Sequence, residues 1–260
     1  MNATLPERQF SEKWHVKGIL SVLLFVLIFI GSGYNTGATA NFSWDQFWDL
    51  LLRMMHPDWT FVSAIITPIA ETIQMALVGT LLGTIIAVPF SLLAARNIVK
   101  NTYLRGIIRF FLNLVRALPD LLLAAVFVAI VGIGPMAGVG ALTIFSFGMI
   151  SKLFYEAIET IDDGPIEALT SVGANGIQKI VFAVIPQVMN QFLSYFLYTL
   201  EINVRASTVL GYLGAGGVGL YLDQTLSLFR YDRTAVVILA ILVVVIIVDG
   251  ISNRLREALA

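Results

Sequence analysis

Few residues in this 260-residue chain could do chemistry, and none sits in a catalytic pattern. The absence of cysteine excludes disulfides, thiolate catalysis and cysteine-ligated metal. The two histidines, His15 and His56, lie far apart and outside the apolar runs, so they read as interfacial residues and no metal site is expected. Ionisable groups within apolar stretches say more, because charge in lipid is costly and usually faces a bundle interior or a water-filled path. Glu201 and Arg205 stand four apart, acid first, the favoured order for a helical ion pair. Together with Asn203, Ser207 and Thr208 they could line the outer half of a polar path. A structural pair holding two helices together accounts for Glu201 and Arg205 equally well. Arg116 and Asp120 flank Pro119, which removes a helical hydrogen bond, so both a gate hinge and a simple bent helix fit there. Gly214, Gly216 and Gly219 spell G-x-G-x-x-G, with Gly217 between them. A dinucleotide fingerprint needs a preceding strand and a βαβ unit. Here the glycines fall between two apolar runs, and flexible backbone at a gate or docking surface is the better expectation.

The elements that must position these residues are membrane helices. The chain is 58% hydrophobic and 13% charged, with a mean hydropathy of +0.86. That is too little charge to cover a water-facing surface. A bilayer core of roughly 30 Å takes about 20 apolar helical residues. Candidate spans are Gly18–Gly33, Thr67–Ala95, Asn113–Ile133, Ala137–Lys152, Val181–Val204 and Thr234–Ile251. Lipid offers no partner to backbone polar groups, so each must be a helix. The expected fold is an all-α membrane protein with about six transmembrane helices. Gly132-Ile133-Gly134-Pro135 is turn chemistry and predicts a tight antiparallel hairpin between spans three and four.

Orientation follows from lysine and arginine. Arg8, Lys13 and Lys17 precede the first span, and Arg96, Lys100, Arg105, Arg109 and Arg116 lie between the second and third. Lys152 and Lys179 flank the loop between the fourth and fifth, and Arg254 and Arg256 follow the sixth. Only Arg53, Arg205, Arg230 and Arg233 remain for the other side. Both termini are therefore expected in the cytoplasm, with the glycine loop and the Arg205 end of the fifth span outside. The first span has a second reading: a basic start, an apolar run and Ala38-Thr39-Ala40 also describe a secretory signal with its cleavage site. Beyond it, Phe42, Trp44, Phe47, Trp48, Leu51 and Met55 at helical spacing suggest a helix in the outer interface, or a short helix packed on the bundle. Residues 1–62 are thus expected to form an N-terminal span and interfacial helix, ahead of a transmembrane domain over 63–255.

The cytoplasmic loop at about 160–186 carries the strongest local signal. Pro165 suits a first helical turn, Gly164 can cap it, and Asp162, Asp163 and Glu167 complement the dipole of that helix end. Gly173 can end the helix in a left-handed conformation, and a second helix starts near Asn175 and runs toward Pro186. Ile166, Leu169 and Val172 fall on or near one face, which would plug a groove on a partner or rest on the membrane surface.

Glu167-Ala168-Leu169, three residues, Gly173, then Val184-Ile185-Pro186 resembles the EAA loop of ABC importer permeases. That pattern reads E-A-A, three residues, G, nine residues, I-x-L-P. This chain departs at Leu169, Ala183 and Ile185, all apolar exchanges. The resemblance runs from about Ala64 to Leu255 and is nearest to the phosphonate-type permeases, with methionine-importer permeases sharing the fold. It rests on Arg116-Ala117-Leu118-Pro119-Asp120, Val131 to Val139, Ser151-Lys152-Leu153 with Glu156-Ala157-Ile158-Glu159, Gly164 to Ala168, Pro186-Gln187-Val188, Glu201 to Val209 and Gly214 to Gly219. The resemblance implies an inner-membrane permease working as a homodimer with two cytoplasmic ATP-binding subunits and an extracytoplasmic phosphonate-binding protein. It also implies that Pro165, Glu167, Ala168, Leu169, Gly173, Ala174 and Pro186 couple the chain to the ATPase. Its substrates would be phosphonates, phosphite or phosphate. ATP and magnesium would bind the partner, since no Walker A motif occurs here and no cofactor is expected in this chain. A nucleic-acid partner is not expected. An ion-coupled secondary transporter is the competing class, and it would leave the structured loop unexplained.

Overall fold

A computed structural model describes the backbone of residues 10–35 and 43–259, and every element among them is helical. The expected cleavage site at Ala38-Thr39-Ala40 lies outside the described residues. Two compact units are distinguished, Met1–Leu52 and Arg53–Ala260. The first contains α1 (Phe10–Asn35), apolar over Gly18–Gly31, and most of α2 (Trp44–Met54). No residue of α2 is buried, and the rings of Trp44, Phe47 and Trp48 meet edge to face along it.

The second unit is a helical bundle. It comprises α3 (Val62–Ala94), α4 (Thr102–Ala117), α5 (Asp120–Val131), α6 (Pro135–Glu159), α7 (Gly164–Ser171), α8 (Gly176–Lys179), α9 (Ile185–Leu210), α10 (Val218–Ser227) and α11 (Tyr231–Leu259). Four stretches are long and apolar enough to cross a bilayer: Trp59–Ala94, Pro135–Glu159, Gly176–Ala215 and Tyr231–Ala258. The pair α4 and α5 makes a fifth if a bent pair counts as one span; the apolar part of α1, Gly18–Gly31, is shorter than a span, so the described residues give four or five of the six expected.

Packing follows the small residues. On α3, a Cβ at Gly79 would stand 2.6 Å from Cβ of Leu142, and one at Gly83 would stand 2.5 Å from Cβ of Ser146. These glycines let α3 and α6 approach to backbone contact, as a small-xxx-small pair should. The bundle carries three apolar clusters. One lies at the α7 end around Phe154, Ile158, Val184 and Val188. A second surrounds Leu142 and Leu210, and a third joins Ile65 to Val236 and Val237.

The third span is not the single helix expected over Asn113–Ile133. It breaks at Leu118-Pro119, and α4 and α5 meet at 85°. Pro119 has no N–H to continue the ladder, and it forces the residue before it out of the helical region. Leu118 accordingly takes φ −74°, ψ 125°. The hairpin after α5 is as expected: Gly132 and Gly134 take φ of 93° and 144°, and Pro135 opens α6.

Candidate functional site

At one end of the bundle the chain leaves α6, turns through α7 and α8, and re-enters as α9. Asp163 is the N-cap of α7, so Gly164 is not the cap expected but the first helical residue, with Pro165 in the first turn. The amide of Gly164 donates to Oδ1 of Asp162 at 3.0 Å. At the far end Gly173 takes φ 81°. The Gly173 amide donates to the Thr170 carbonyl at 3.0 Å and the Ala174 amide to the Leu169 carbonyl at 2.9 Å. Those two bonds form a Schellman motif, which satisfies carbonyls that would otherwise be orphaned. Asn175 then caps α8 through a reciprocal box with Gln178, at 2.9 and 2.8 Å. Pro186 lacks an N–H, and the chain before it widens into a π-helical turn over Ile180–Val184, with the amide of Ile185 reaching the carbonyl of Ile180. Turn chemistry therefore fixes this elbow before any partner arrives.

Its surface is open. No residue of α7 is buried; Pro165, Glu167 and Ala168 are exposed, and Val172 and Ile177 are 79% and 74% exposed. The three apolar residues expected on one face are divided. Ile166 packs inward against the Phe154 cluster, Leu169 is half-buried, and Val172 faces out. Ile166 anchors the elbow, leaving Ala168, Val172 and Ile177 as its free apolar surface. The other anchor is Gln187, which sequence reading did not single out for this role. Its Oε1 accepts from the Asp162 amide at 3.0 Å, while its Nε2 donates to the carbonyls of Ala183 at 2.8 Å and Asp162 at 3.3 Å.

The five residues expected to line one path are likewise split between two faces of α9. Asn203 and Ser207 are fully buried inside the protomer. The Asn203 amide donates to Oγ1 of Thr80 at 2.7 Å and to Oγ of Ser146 at 2.6 Å, near the middles of α3 and α6. Arg205 is exposed and Thr208 half-buried, on another side of the helix. Arg205 pairs with Glu201 and with Asp249 at 3.1 Å, and Glu201 also accepts from Arg256 at 2.8 Å. Two acids and two bases thus form a chain joining α9 to the C-terminal half of α11. The helix period separates the two sets: 203 and 207 are one turn apart, as are 201, 205 and 208.

The glycine loop lies at the opposite end of α6 from the elbow, and its backbone is packed, not loose. Gly214, Gly216 and Gly217 take φ of 90°, 85° and 71°. A Cβ on Gly219 would come within 2.0 Å of the Thr208 carbonyl oxygen, one on Gly216 within 2.7 Å of the Pro135 nitrogen, and one on Gly217 within 2.5 Å of Thr72 Oγ1. The Gly134 amide donates to the Gly214 carbonyl at 2.9 Å, and the Val218 amide to Thr72 Oγ1 at 2.8 Å. The glycines are there so that three helix ends can close on one another, which overturns the expectation of flexible backbone.

A groove of about 440 Å³ runs between α3, α6 and α9, lined by residues such as Leu81, Val88, Phe154, Val188 and Phe192, with no charged side chain.

Among the described residues the arrangement offers no nucleophile beside a base, but a structured elbow on a long helical bundle. A sequence profile of the binding-protein-dependent transport system inner membrane component family matches residues 87–259. The chain belongs to this family. It is a permease subunit of an ABC importer, set in the inner membrane, and not an enzyme; members of the family work with a separate ATPase and a binding protein. It is 39% identical over 203 residues to the phosphite transport system permease protein PtxC of Stutzerimonas stutzeri, covering 78% of this chain and 74% of that one. It is 37% identical over 211 residues to the phosphate-import permease protein PhnE of Mycolicibacterium smegmatis, covering 81% of this permease and 40% of that one. Among solved structures, the inward-facing MetNI methionine ABC transporter aligns with a TM-score of 0.71 at 23% identity, over 78% of this chain and 99% of that one. That similarity shows a shared type I importer fold.

Proposed function

We propose that this permease carries a phosphonate or a related phosphorus oxyanion, phosphite or phosphate, into the cell. Two copies would form the path. Two cytoplasmic ATP-binding subunits, which hold the ATP and magnesium, would drive it, and an extracytoplasmic phosphonate-binding protein would deliver the substrate. Both termini and the α7 elbow then face the cytoplasm, where lysine and arginine concentrate. The observation that carries the substrate class is the identity to phosphite and phosphate permeases across most of the chain.

In this reading α7 is the coupling helix. Pro165, Glu167, Ala168 and Leu169 belong to the helix that meets the ATPase, Gly173 and Ala174 close its end, and Pro186 opens the helix that receives its motion. An elbow pre-formed by its own caps transmits a push with little ordering cost. Arg116, Pro119 and Asp120 mark the hinge between α4 and α5, while Gly214, Gly216, Gly217 and Gly219 hold the outer end closed. Glu201 and Asp249 already balance the charge of Arg205, so an anion passing it would be attracted without being trapped. Asn203 and Ser207 would hold the protomer together, and Thr208 would share the Arg205 face. The groove of aliphatic and aromatic side chains is unsuited to an oxyanion, whose burial without partners is costly.

Uptake by proteoliposomes containing the permease, the ATPase and the binding protein tests this reading. ATP-dependent accumulation of labelled phosphonate, phosphite or phosphate, with none of methionine, is the expected result. Methionine uptake, or oxyanion uptake driven by an ion gradient without ATP, would refute it.

A further inference from the structure

At the root of the elbow, one side chain holds three helices. Glu159 is the last residue of α6, and its carboxylate is 13% exposed. Its Oε1 accepts from the Arg96 amide at 2.7 Å and from the Arg109 guanidinium. Arg109 comes from α4. Its Nε and Nη2 also donate to the Ala94 carbonyl, at 3.0 and 2.8 Å, and its guanidinium lies 4.7 Å over the ring of Tyr155. Asn97 Nδ2 adds a bond to the Ile158 carbonyl at 2.6 Å. The end of α3, the middle of α4 and the end of α6 are thus joined by charge-assisted bonds around one guanidinium. Such bonds are stronger than neutral ones, and arginine's rigid fork is what lets it grip a carbonyl and a carboxylate together.

The clasp matters because α4 is otherwise held mostly by half-buried and exposed side chains. Leu112 is the single buried residue among the described residues of α4, whereas α3 and α6 each bury many. The helices α3, α6 and α9 are interlocked by close-packed glycines and apolar side chains, so a push on α7 moves them together whatever Arg109 does. Without Arg109, α4 would be held by Leu112, by the partly buried Ile108 and Val115, and by the Phe111 ring against Phe90 and Phe147. Beyond α4 lie the 85° bend at Pro119 and α5, which packs against α6 and the glycine loop.

We propose that Arg109 is a positioning residue for coupled transport, clamping α4 to Glu159 at the root of α7 so that motion of the elbow carries the α4–α5 limb with it. This rests on α7 being the coupling helix. α4 then moves as one body with the elbow, and the bend at Pro119 passes that motion to α5.

The test uses the complete transporter in proteoliposomes, with Arg109→Gln and Arg109→Lys. Two readouts are taken: substrate transported per ATP hydrolysed, and the distance between spin labels on α4 and α7 without nucleotide and with trapped ATP. In the parent protein the α4–α7 distance is expected to stay fixed between the two states. In Arg109→Gln it should change, while an α6–α7 distance stays fixed and ATP hydrolysis continues. Transport per ATP should fall about tenfold or more, the scale set by losing a charge-assisted bond. Arg109→Lys keeps the charge but not the fork, so it should show the same change to a smaller extent, and it decides the matter if Arg109→Gln does not assemble. Parent-level transport per ATP with a constant α4–α7 distance in both variants would overturn the proposal. Replacing α7 separates this from failure of the coupling reading. If α7 variants lose transport while Arg109 variants do not, the clasp alone is wrong; if α7 variants transport normally, the coupling reading is wrong and the clasp falls with it.

Discussion

The two ends of α6 show opposite uses of glycine. At the start of α6, Gly134 and the loop from Gly211 to Gly219 close on each other, with Gly211 and Gly214 to Gly219 buried and no space for a methyl group at Gly216, Gly217 or Gly219. At its far end, Gly173 also has a left-handed backbone, yet a Cβ there would meet nothing within 4 Å. One end spends its small residues on contact inside the protomer. The other uses a single glycine to turn the chain sharply and leaves the product exposed. The same residue type thus marks an internal seal in one place and a surface prepared for a partner in the other.

Substitutions can break that contrast. Gly219→Ala should be the most damaging. Its methyl would lie 2.0 Å from a backbone oxygen, and relief requires the start of α10 to move. A loss of about 3 kcal/mol is expected, read as a large drop in the thermal midpoint of the solubilised protein. Asn203→Ala removes both bonds to Thr80 and Ser146 from the seam between the ends, and should cost about 2 kcal/mol by the same measurement. Gly173→Ala meets no atom and strains only the backbone, so about 1 kcal/mol is expected. If Gly173→Ala proved as destabilising as Gly219→Ala, the elbow would be packed after all and the contrast would fail.

The smallest effect concerns the start of α3, near the glycine loop. The hydroxyl of Thr60, and then the Arg233 guanidinium at 3.2 Å, hold the Asp58 carboxyl below its ordinary value, with partial desolvation opposing them. A group whose folded pKa is lowered contributes stability above its unfolded pKa and loses it as pH falls through the folded one. Between about pH 5 and pH 3 the parent protein should therefore lose slightly more thermal stability than Asp58→Asn. Equal losses would mean that the clasp of Asp58 with Thr60 and Arg233 does not outlast detergent extraction.

What was legible in the sequence was local. Pro165, Gly173 and Asn175 dictate the elbow by turn and cap chemistry, and the structure places each within a residue of expectation. Six apolar stretches could be counted because lipid demands apolar helices. Pro119 announced a bend, but not that α4 and α5 would part at 85°, since the sharpness depends on the α6 surface that both pack against. Long-range pairings were not legible. Nothing in the chain before folding says that Arg109 will meet Ala94 and Glu159, or that Asp249 and Arg256 will reach Arg205 and Glu201. The glycine loop was misread because flexibility and close packing call for the same residue, and only its neighbours tell them apart. The division of α9 was readable, as the helix period already separates Asn203 and Ser207 from Glu201, Arg205 and Thr208.

The central claim is that the α7 elbow lies at the cytoplasmic face and engages the ATPase. The chain has no native cysteine, so a single Ala168→Cys provides a unique exposed thiol on α7. Inside-out and right-side-out vesicles carrying the complete transporter would be treated with a bulky membrane-impermeant maleimide, with and without the ATPase attached. Labelling only in inside-out vesicles stripped of the ATPase, followed by failure of the labelled permease to rebind it, is the predicted result. Labelling from the outside, or full ATPase rebinding and ATP-driven uptake after complete modification, would contradict it.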